Sequence, residues 1–373
     1  MRFDFHLPTA IHFGRGRLAD LGALTGPLGR AALVVCGRSS ARRTGVLDAA
    51  LASLSAAGVR TAVFDRVSPD PRASEVDEAV ALARAEGSDV VVGLGGGSAL
   101  DAAKAVAVGL RHGPCGPLVG RTLEPVADPV PVVAVPTTAG SGAEVTKGAI
   151  ITDTGRDLKA GIRGADLFPR VALVDPRALT PLPPEVAAES GFDALAHAIE
   201  GYVARKSSPL TRLHALEALR VLGTALPAFT AGDRSEPVLD SLALAALHGG
   251  VSVANASTCL PHRVQQAMGA VPGVRISHGR GLAAVYPAWL ARAHPHARER
   301  LDHVAELLGG PDVRSAVLGL MSAIGVHAPL KAHGFTEEDL VVVAGSVVGN
   351  VDNDPIPDAG DELVREVLAE SFG

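Results

Sequence analysis

Residues 89–110, DVVVGLGGGSALDAAKAVAVGL, decide the fold. Asp89–Leu94 is a short apolar run rich in valine, the pattern of a strand buried on both faces. Gly95-Gly96-Gly97-Ser98 interrupts it, and Ala99–Leu110 continues as a helical run. Glycines between the C-terminal end of a strand and the start of a helix make a place for phosphate. The backbone N–H groups are free there, the helix dipole is positive, and no Cβ blocks close approach. The loop follows neither the G-x-G-x-x-G nor the Walker A pattern. Taken alone, a plain tight turn explains it equally well.

Outward from this stretch the same alternation repeats. Ala31–Cys36 and Arg60–Asp65 read as strands, with Arg43–Ala57 and Ser74–Glu86 as helices between strands. Strand, crossover helix, strand is the signature of a doubly wound parallel α/β sheet. Further toward the N-terminus, residues 1–16 read as a short β-region and Leu18–Leu28 as a helix. On the C-terminal side, Val130–Val135 is another buried strand. It runs into Pro136–Gly142, a loop of hydroxyls and glycine able to wrap a diphosphate or ribose. Val145–Asp153 and Val171–Val174 read as strands bracketing Lys159. Leu179–Pro184 is a stiff, proline-rich linker, and the chain beyond it reads as almost entirely helical. Expected helices there include Ala187–Ala204, Pro209–Leu226, Leu239–Val253, Gly281–Ala293 and Glu337–Val348. Two domains follow: an α/β dinucleotide-type domain over 1–180 and an all-helical domain over 181–373.

Composition agrees with a large packed protein. Of 373 residues, 47% are hydrophobic and 20% charged, which excludes disorder. The formal net charge is −6 with no basic patch, so neither nucleic acid nor an anionic membrane is an expected partner. Three scattered cysteines, Cys36, Cys115 and Cys259, point to a reducing compartment rather than a disulfide framework. The N-terminus lacks the apolar core of a signal peptide. The most apolar stretch, Ser241–Ala254, is too short for a span and reads as a buried helix. A cytoplasmic location is expected.

The most specific chemistry lies in Gly191–His278. In GFDALAHAIEGY, Asp193 and His197 are four residues apart, so a helix would project both from one face. His262 and His278 follow in CLPHRVQQAMG and ISHGRG. One carboxylate and three imidazoles suit a divalent transition metal such as Fe²⁺ or Zn²⁺. An Asp-x-x-x-His pair by itself is also an ordinary solvated helix face. An α/β nucleotide domain followed by a helical metal domain implies a cleft where cofactor and substrate meet.

Five motifs then stand in order: GGGSALDAAK (Gly95–Lys104), PTTAGSGAEVT (Pro136–Thr146), LVDP (Leu173–Pro176), GFDALAHAIEGY (Gly191–Tyr202) and SHGRGLA (Ser277–Ala283). Together they resemble the iron-containing, group III alcohol dehydrogenases over the whole chain. The resemblance implies the dehydroquinate-synthase-like two-domain architecture and hydride transfer between a nicotinamide and a small alcohol or aldehyde. It places metal ligands at Asp193, His197, His262 and His278. It places the diphosphate turn at Gly96, Gly97 and Ser98, with Asp101 in the helix beyond and cofactor contacts at Thr137, Thr138, Ser141 and Lys159. Asp70, in the turn Ser68-Pro69-Asp70-Pro71, joins the candidate cofactor residues. The family often pairs an N-terminal strand between subunits, so Phe3–Phe13 is expected to join a homodimer.

Two departures stand out. Members of that family typically carry a further histidine four residues after the third ligand; here that position is Gln266, which hydrogen-bonds but does not titrate near neutral pH. The spacing from His262 to His278 is also slightly longer than usual. Gln266 and His278 are the residues expected at the reacting centre. The acid that selects NAD by binding the adenosine ribose follows the first buried strand in this family. Here Gly37-Arg38-Ser39-Ser40 stands in its place, which favours NADP(H) over NAD(H). Arg263, beside a ligand, can pair with an anionic aldehyde or can be a surface arginine. Aromatics are only 3% of residues, which argues against a pocket for a large planar substrate. Two alternatives remain at this stage. One is a dehydroquinate-synthase-like lyase or cyclase, which needs several basic residues for phosphate and finds only Arg205, Lys206 and Arg263 near the motifs. The other is a non-catalytic nucleotide-binding protein, for which a full ligand set would be a costly burden.

Overall fold

A computed structural model describes residues 2–373. The apolar runs form eight strands: β1 (Ala10–Phe13), β2 (Ala31–Gly37), β3 (Arg60–Val67), β4 (Val90–Gly95), β5 (Val132–Pro136), β6 (Gly148–Asp153), β7 (Leu158–Arg163) and β8 (Val171–Val174). Six make one parallel sheet in the order β1-β8-β5-β4-β2-β3, and β6 and β7 form a separate antiparallel pair. Between the strands lie α1 (Leu21–Thr25), α2 (Ser40–Arg43), α3 (Val46–Ala56), α4 (Ala73–Ala85) and α5 (Gly97–His112).

The sheet is apolar on both faces because helices cover both. Leu33 and Val35 of β2 enter one core with Val76 and Val80 of α4 and Val106 of α5. Ala32, Val34 and Cys36 of the same strand enter the other core with Leu47 and Leu54 of α3. Each fully buried valine or leucine contributes roughly 1.5–3 kcal/mol relative to exposure, so a one-residue slip of β2 would be heavily penalised. The order reverses between β2 and β4, whose ends are in register at Cys36 and Leu94. A nucleotide is held at such a switch point in open α/β sheets.

Beyond residue 183 the chain is helical: α6 (Pro184–Val203), α7 (Pro209–Thr230), α8 (Glu236–Ala256), α9 (Leu260–Ala267), α10 (His278–Ala293), α11 (Arg298–Leu308), α12 (Val313–Ile324), α13 (Glu337–Gly345) and α14 (Asp361–Phe372). Helix α6 packs on α7, α8 and α10. At Gly191 of α6 a Cβ would come within 2.3 Å of Leu226 on α7, so the glycine is what admits that neighbour. By length and composition α8 could cross a membrane, but 61% of its apolar window is buried. Two compact units result: one is Leu7–Thr138 with Gly142–Leu182, the other residues 2–6, Ala139–Ser141 and Pro183–Gly373.

Some local expectations are corrected. Only Ala10–Phe13 of the N-terminal β-region is a strand. Leu18–Leu28 is a 3₁₀ turn, Arg17–Asp20, followed by the short α1, because Gly26 and Pro27 leave no room for a long helix. Lys159 lies within a strand, β7, rather than between strands. Helix α9, absent from the expected set, is one of the shortest and carries Pro261 in its first turn.

Candidate metal centre and cofactor loops

Helix α6 presents Asp193, His197 and Glu200 at i, i+4 and i+7, one buried stripe. Helix α9 supplies His262 from its first turn. His278 is the first residue of α10, whose start is capped by the side chain of Ser277 accepting from the Arg280 N–H. All three elements converge on one carboxylate oxygen. Asp193 Oδ1 lies 3.2 Å from His278 Nε2, 3.3 Å from His262 Nε2 and 3.5 Å from His197 Nε2. The ligand atoms of Asp193, His262 and His278 all lie within 4.8 Å of one another. The rings of His197 and His262 stack with centroids 4.7 Å apart.

The electrostatics suit a cation. Burial opposes ionisation of Asp193, yet His197, His278 and His262 hold its carboxyl well below the usual range. Burial pushes His197 down to about 4 despite Asp193. Burial also opposes charge on His262, but Glu200 and Asp193 together lift it to about 9. Hydrogen bonding alone accounts poorly for the cluster. The contacts to Asp193 exceed the roughly 2.7–2.9 Å of charge-assisted bonds, and His197 Nδ1 is buried with no partner among the described residues. One carboxylate with three imidazoles fits Fe²⁺ or Zn²⁺.

The far ring nitrogens have partners that the sequence reading did not single out. His262 Nδ1 lies 2.8 Å from Glu200 Oε1, and His278 Nδ1 lies 2.5 Å from Gln265 Oε1. The i+7 spacing of Glu200 from Asp193 was the available signal for the first; nothing local marked the second. Gln266 lies one turn beyond His262 on α9. Its Oε1 accepts from Arg263 Nη1 at 3.1 Å, and Arg263 Nη2 donates to Thr258 Oγ1 at 2.6 Å. The surface reading of Arg263 is corrected: the residue is 5% exposed, because α9 turns it inward beside His262.

The cofactor candidates gather mostly in the sheet unit. Gly96 is the N-cap of α5 and provides no side-chain cap, so the first-turn amides of Gly97 and Ser98 are open to an anion. A Cβ at Gly96 would come within 3.1 Å of Thr138, and Thr137 donates its N–H to Gly95 O. The loops after β4 and β5 therefore touch. The loop Gly37–Ser40 ends β2, beside β4 in the sheet. Lys159 pairs with Asp70 at 2.6 Å. Asp101 accepts from the Ile150 N–H and from Lys104, both at 2.9 Å, so its carboxylate is anchored to the β6–β7 pair. Ser141 groups with the helical unit.

The comparisons with known proteins point one way. Residues 8–176 match the iron-containing alcohol dehydrogenase profile, and residues 187–370 match the C-terminal profile of that family. The NAD-dependent methanol dehydrogenase of Bacillus methanolicus is 30% identical over 365 residues, covering 93% of this chain and 94% of the relative. The NADPH-dependent butanol dehydrogenase of Clostridium saccharobutylicum is 29% identical, covering 90% of this chain and 88% of the relative. The crystal structure of an archaeal halo-thermophilic alcohol dehydrogenase from a Red Sea brine pool superposes with a TM-score of 0.94 at 28% identity, covering 100% of this chain and 99% of that one. The chain belongs to the iron-containing alcohol dehydrogenase family, oxidoreductases that use a divalent metal and NAD(P).

Proposed function

We propose that this chain is an NADP(H)-favouring alcohol dehydrogenase or aldehyde reductase that acts on a small substrate, anionic aldehydes included. The convergence of Asp193, His262 and His278 carries the reading. Asp193, His197, His262 and His278 would hold the ion. Bound there, a divalent metal supplies Lewis acidity toward a substrate oxygen.

The remaining work falls to the chain's own groups. The amides of Gly97 and Ser98 and the hydroxyls of Thr137 and Thr138 cradle the diphosphate. Arg38, Ser39 and Ser40 offer donors to a 2′-phosphate, and Gly37 leaves room for it. Lys159 and Asp70 tie β7 to the turn Ser68–Pro71, and Asp101 ties α5 to β6. Gln266 turns its oxygen to Arg263, which leaves its amide hydrogens as donors to substrate or to a water. It cannot exchange a proton as histidine would, so a proton must travel by water or by a cofactor hydroxyl. The Arg263 guanidinium adds positive charge beside the site, which favours an anionic substrate. A homodimer through the open edge of β1, in the cytoplasm, belongs to the same reading.

The test measures kcat/KM for NADPH and NADH with neutral and carboxylated small aldehydes, in chelated and metal-reloaded protein. Light scattering gives the oligomeric state. Equal rates in chelated and reloaded protein would remove the metal from the reading, and a monomer would remove the dimer.

A further inference from the structure

We infer that Glu200 is a positioning residue of the metal centre, fixing the tautomer and heading of the His262 ring. The inference rests on the reading of Asp193, His197, His262 and His278 as ligands.

Glu200 is fully buried on α6, one turn past His197 and two past Asp193. Its two oxygens do different jobs. Oε1 lies 2.8 Å from His262 Nδ1, and Oε2 accepts from the Cys259 N–H at 2.6 Å. One carboxylate thus ties the ring to the N-cap residue of the helix that carries it. A carboxylate only accepts, so the nitrogen facing it carries the hydrogen. That places the lone pair of the neutral imidazole on Nε2, the atom facing Asp193 at 3.3 Å. A buried acceptor on the far nitrogen both aims a ligating ring and raises its basicity.

The three rings are supported unequally. His262 has a carboxylate, His278 has the neutral amide oxygen of Gln265, and His197 Nδ1 has no partner among the described residues. His262 is therefore the strongest donor of the three. A second buried acid, Asp354, separates aiming from bracing. It accepts from the N–H groups of Leu260 and Ile356 and from Trp289 Nε1, and so holds the same helix without touching a ligand ring.

The experiment titrates Zn²⁺ into chelated full-length protein against a chromophoric chelator, for wild type, Glu200→Gln, Asp354→Asn and His262→Ala. Glutamine offers one acceptor where two N–H groups need one each. Glu200→Gln should weaken Zn²⁺ binding about 10–100-fold. Asp354→Asn should lower the melting temperature and leave affinity within a few-fold of wild type. Equal losses in the two acid variants would make Glu200 a helix brace and overturn the inference, as would unchanged affinity in Glu200→Gln. Zn²⁺ binding in wild type that His262→Ala leaves intact would overturn the ligand reading itself. If Glu200→Gln does not fold, ¹⁵N-histidine NMR on Zn²⁺-loaded wild type decides. Hydrogen on His262 Nδ1 supports the assignment, and metal on that nitrogen overturns it.

Discussion

Arg263 donates through Nη1 to Gln266 Oε1 at 3.1 Å, one turn along α9 from the candidate ligand His262. On the proposed reading Gln266 stands where a proton-transferring side chain would be expected, and the guanidinium fixes which end of its amide points away. Replacing Gln266 by histidine would set an imidazole beside a cation. The cation disfavours the charged ring, so its pKa should fall below the usual value of about 6.5. The pH profile of kcat/KM should gain one new ionisation in the variant, on the acid side of neutrality. Overlaying profiles would show that position 266 lies off the proton route.

Metal removal should abolish turnover and lower the melting temperature of the protein. A ligand at 100 times its Kd stabilises the folded state by about 2.7 kcal/mol. Readdition of Fe²⁺ or Zn²⁺ should restore both. His197→Ala should lower metal occupancy and leave NADPH affinity within a few-fold of wild type, since the candidate ligands lie in one compact unit and the candidate cofactor residues Gly37–Ser40, Gly96–Ser98, Thr137 and Thr138 in the other. Full turnover in protein shown metal-free by elemental analysis is the outcome that sinks the metal-dependent reading.

Much of this is legible in the sequence. The strands at Ala31–Cys36, Asp89–Leu94 and Val130–Val135 announce themselves as short apolar runs ended by glycine or proline, because a strand covered on both faces needs no polar alternation. The Asp193/His197 pair was visible because helical spacing is local. What escaped is what depends on distant partners. Glu200 acts on His262 across 62 residues, and Asp101 is fixed by the Ile150 N–H across 49. Lys104 sits in a quoted motif, but only the fold shows it fully buried with Asp101, Ala143, Thr146 and Gly148 around its ammonium. Helix α9 escaped because it is eight residues long with a proline in its first turn.

Glu144, in the loop after β5, gives a pH signature away from the metal centre. It is 2% exposed. Burial pushes its carboxyl up from 4.5 to about 7, with Lys104 opposing. A raised carboxyl pKa means the folded state prefers the protonated form. Below the unfolded value the group carries no penalty; as pH rises from about 4.5 to about 7 it costs stability, and above that the cost is constant. The ceiling is on the order of 3 kcal/mol, from about 1.4 per pH unit. Glu144→Gln should therefore gain on wild type in melting temperature as pH rises through this window. A difference between the two proteins that stays flat from pH 4.5 to 8 would show that Glu144 is not the titrating group.

On the proposed reading cofactor choice turns on the loop after β2. A Cβ on Gly37 would meet only Ser40 Oγ and Val67 O, both at 3.8 Å, so an aspartate fits there without strain. Its absence is a chemical choice, not a steric one. Arg38 is the nearest cation; its side chain is 67% exposed and lies 3.6 Å from Glu75 Oε1. That pair is long and solvated at its Arg38 end, and Arg38 otherwise donates only a 3.4 Å bond from Nε to Arg66 O, so a phosphate can compete with Glu75 for the guanidinium. Arg42 and Arg66 are held by Asp65 at 2.8 Å and by Glu78 at 3.2 Å, which leaves Arg38 as the principal contact. A charge-assisted bond is worth about 1.5–3 kcal/mol. Even at the lower bound, which exposure favours, one such bond gives about tenfold discrimination. Wild type should thus prefer NADPH over NADH in kcat/KM. Arg38→Ala should cut the NADPH value about tenfold and barely move the NADH value. Gly37→Asp should invert the preference by placing a carboxylate where the 2′-phosphate would sit. A wild-type preference for NADH that neither substitution moves would show that the 2′ position is read elsewhere in the chain.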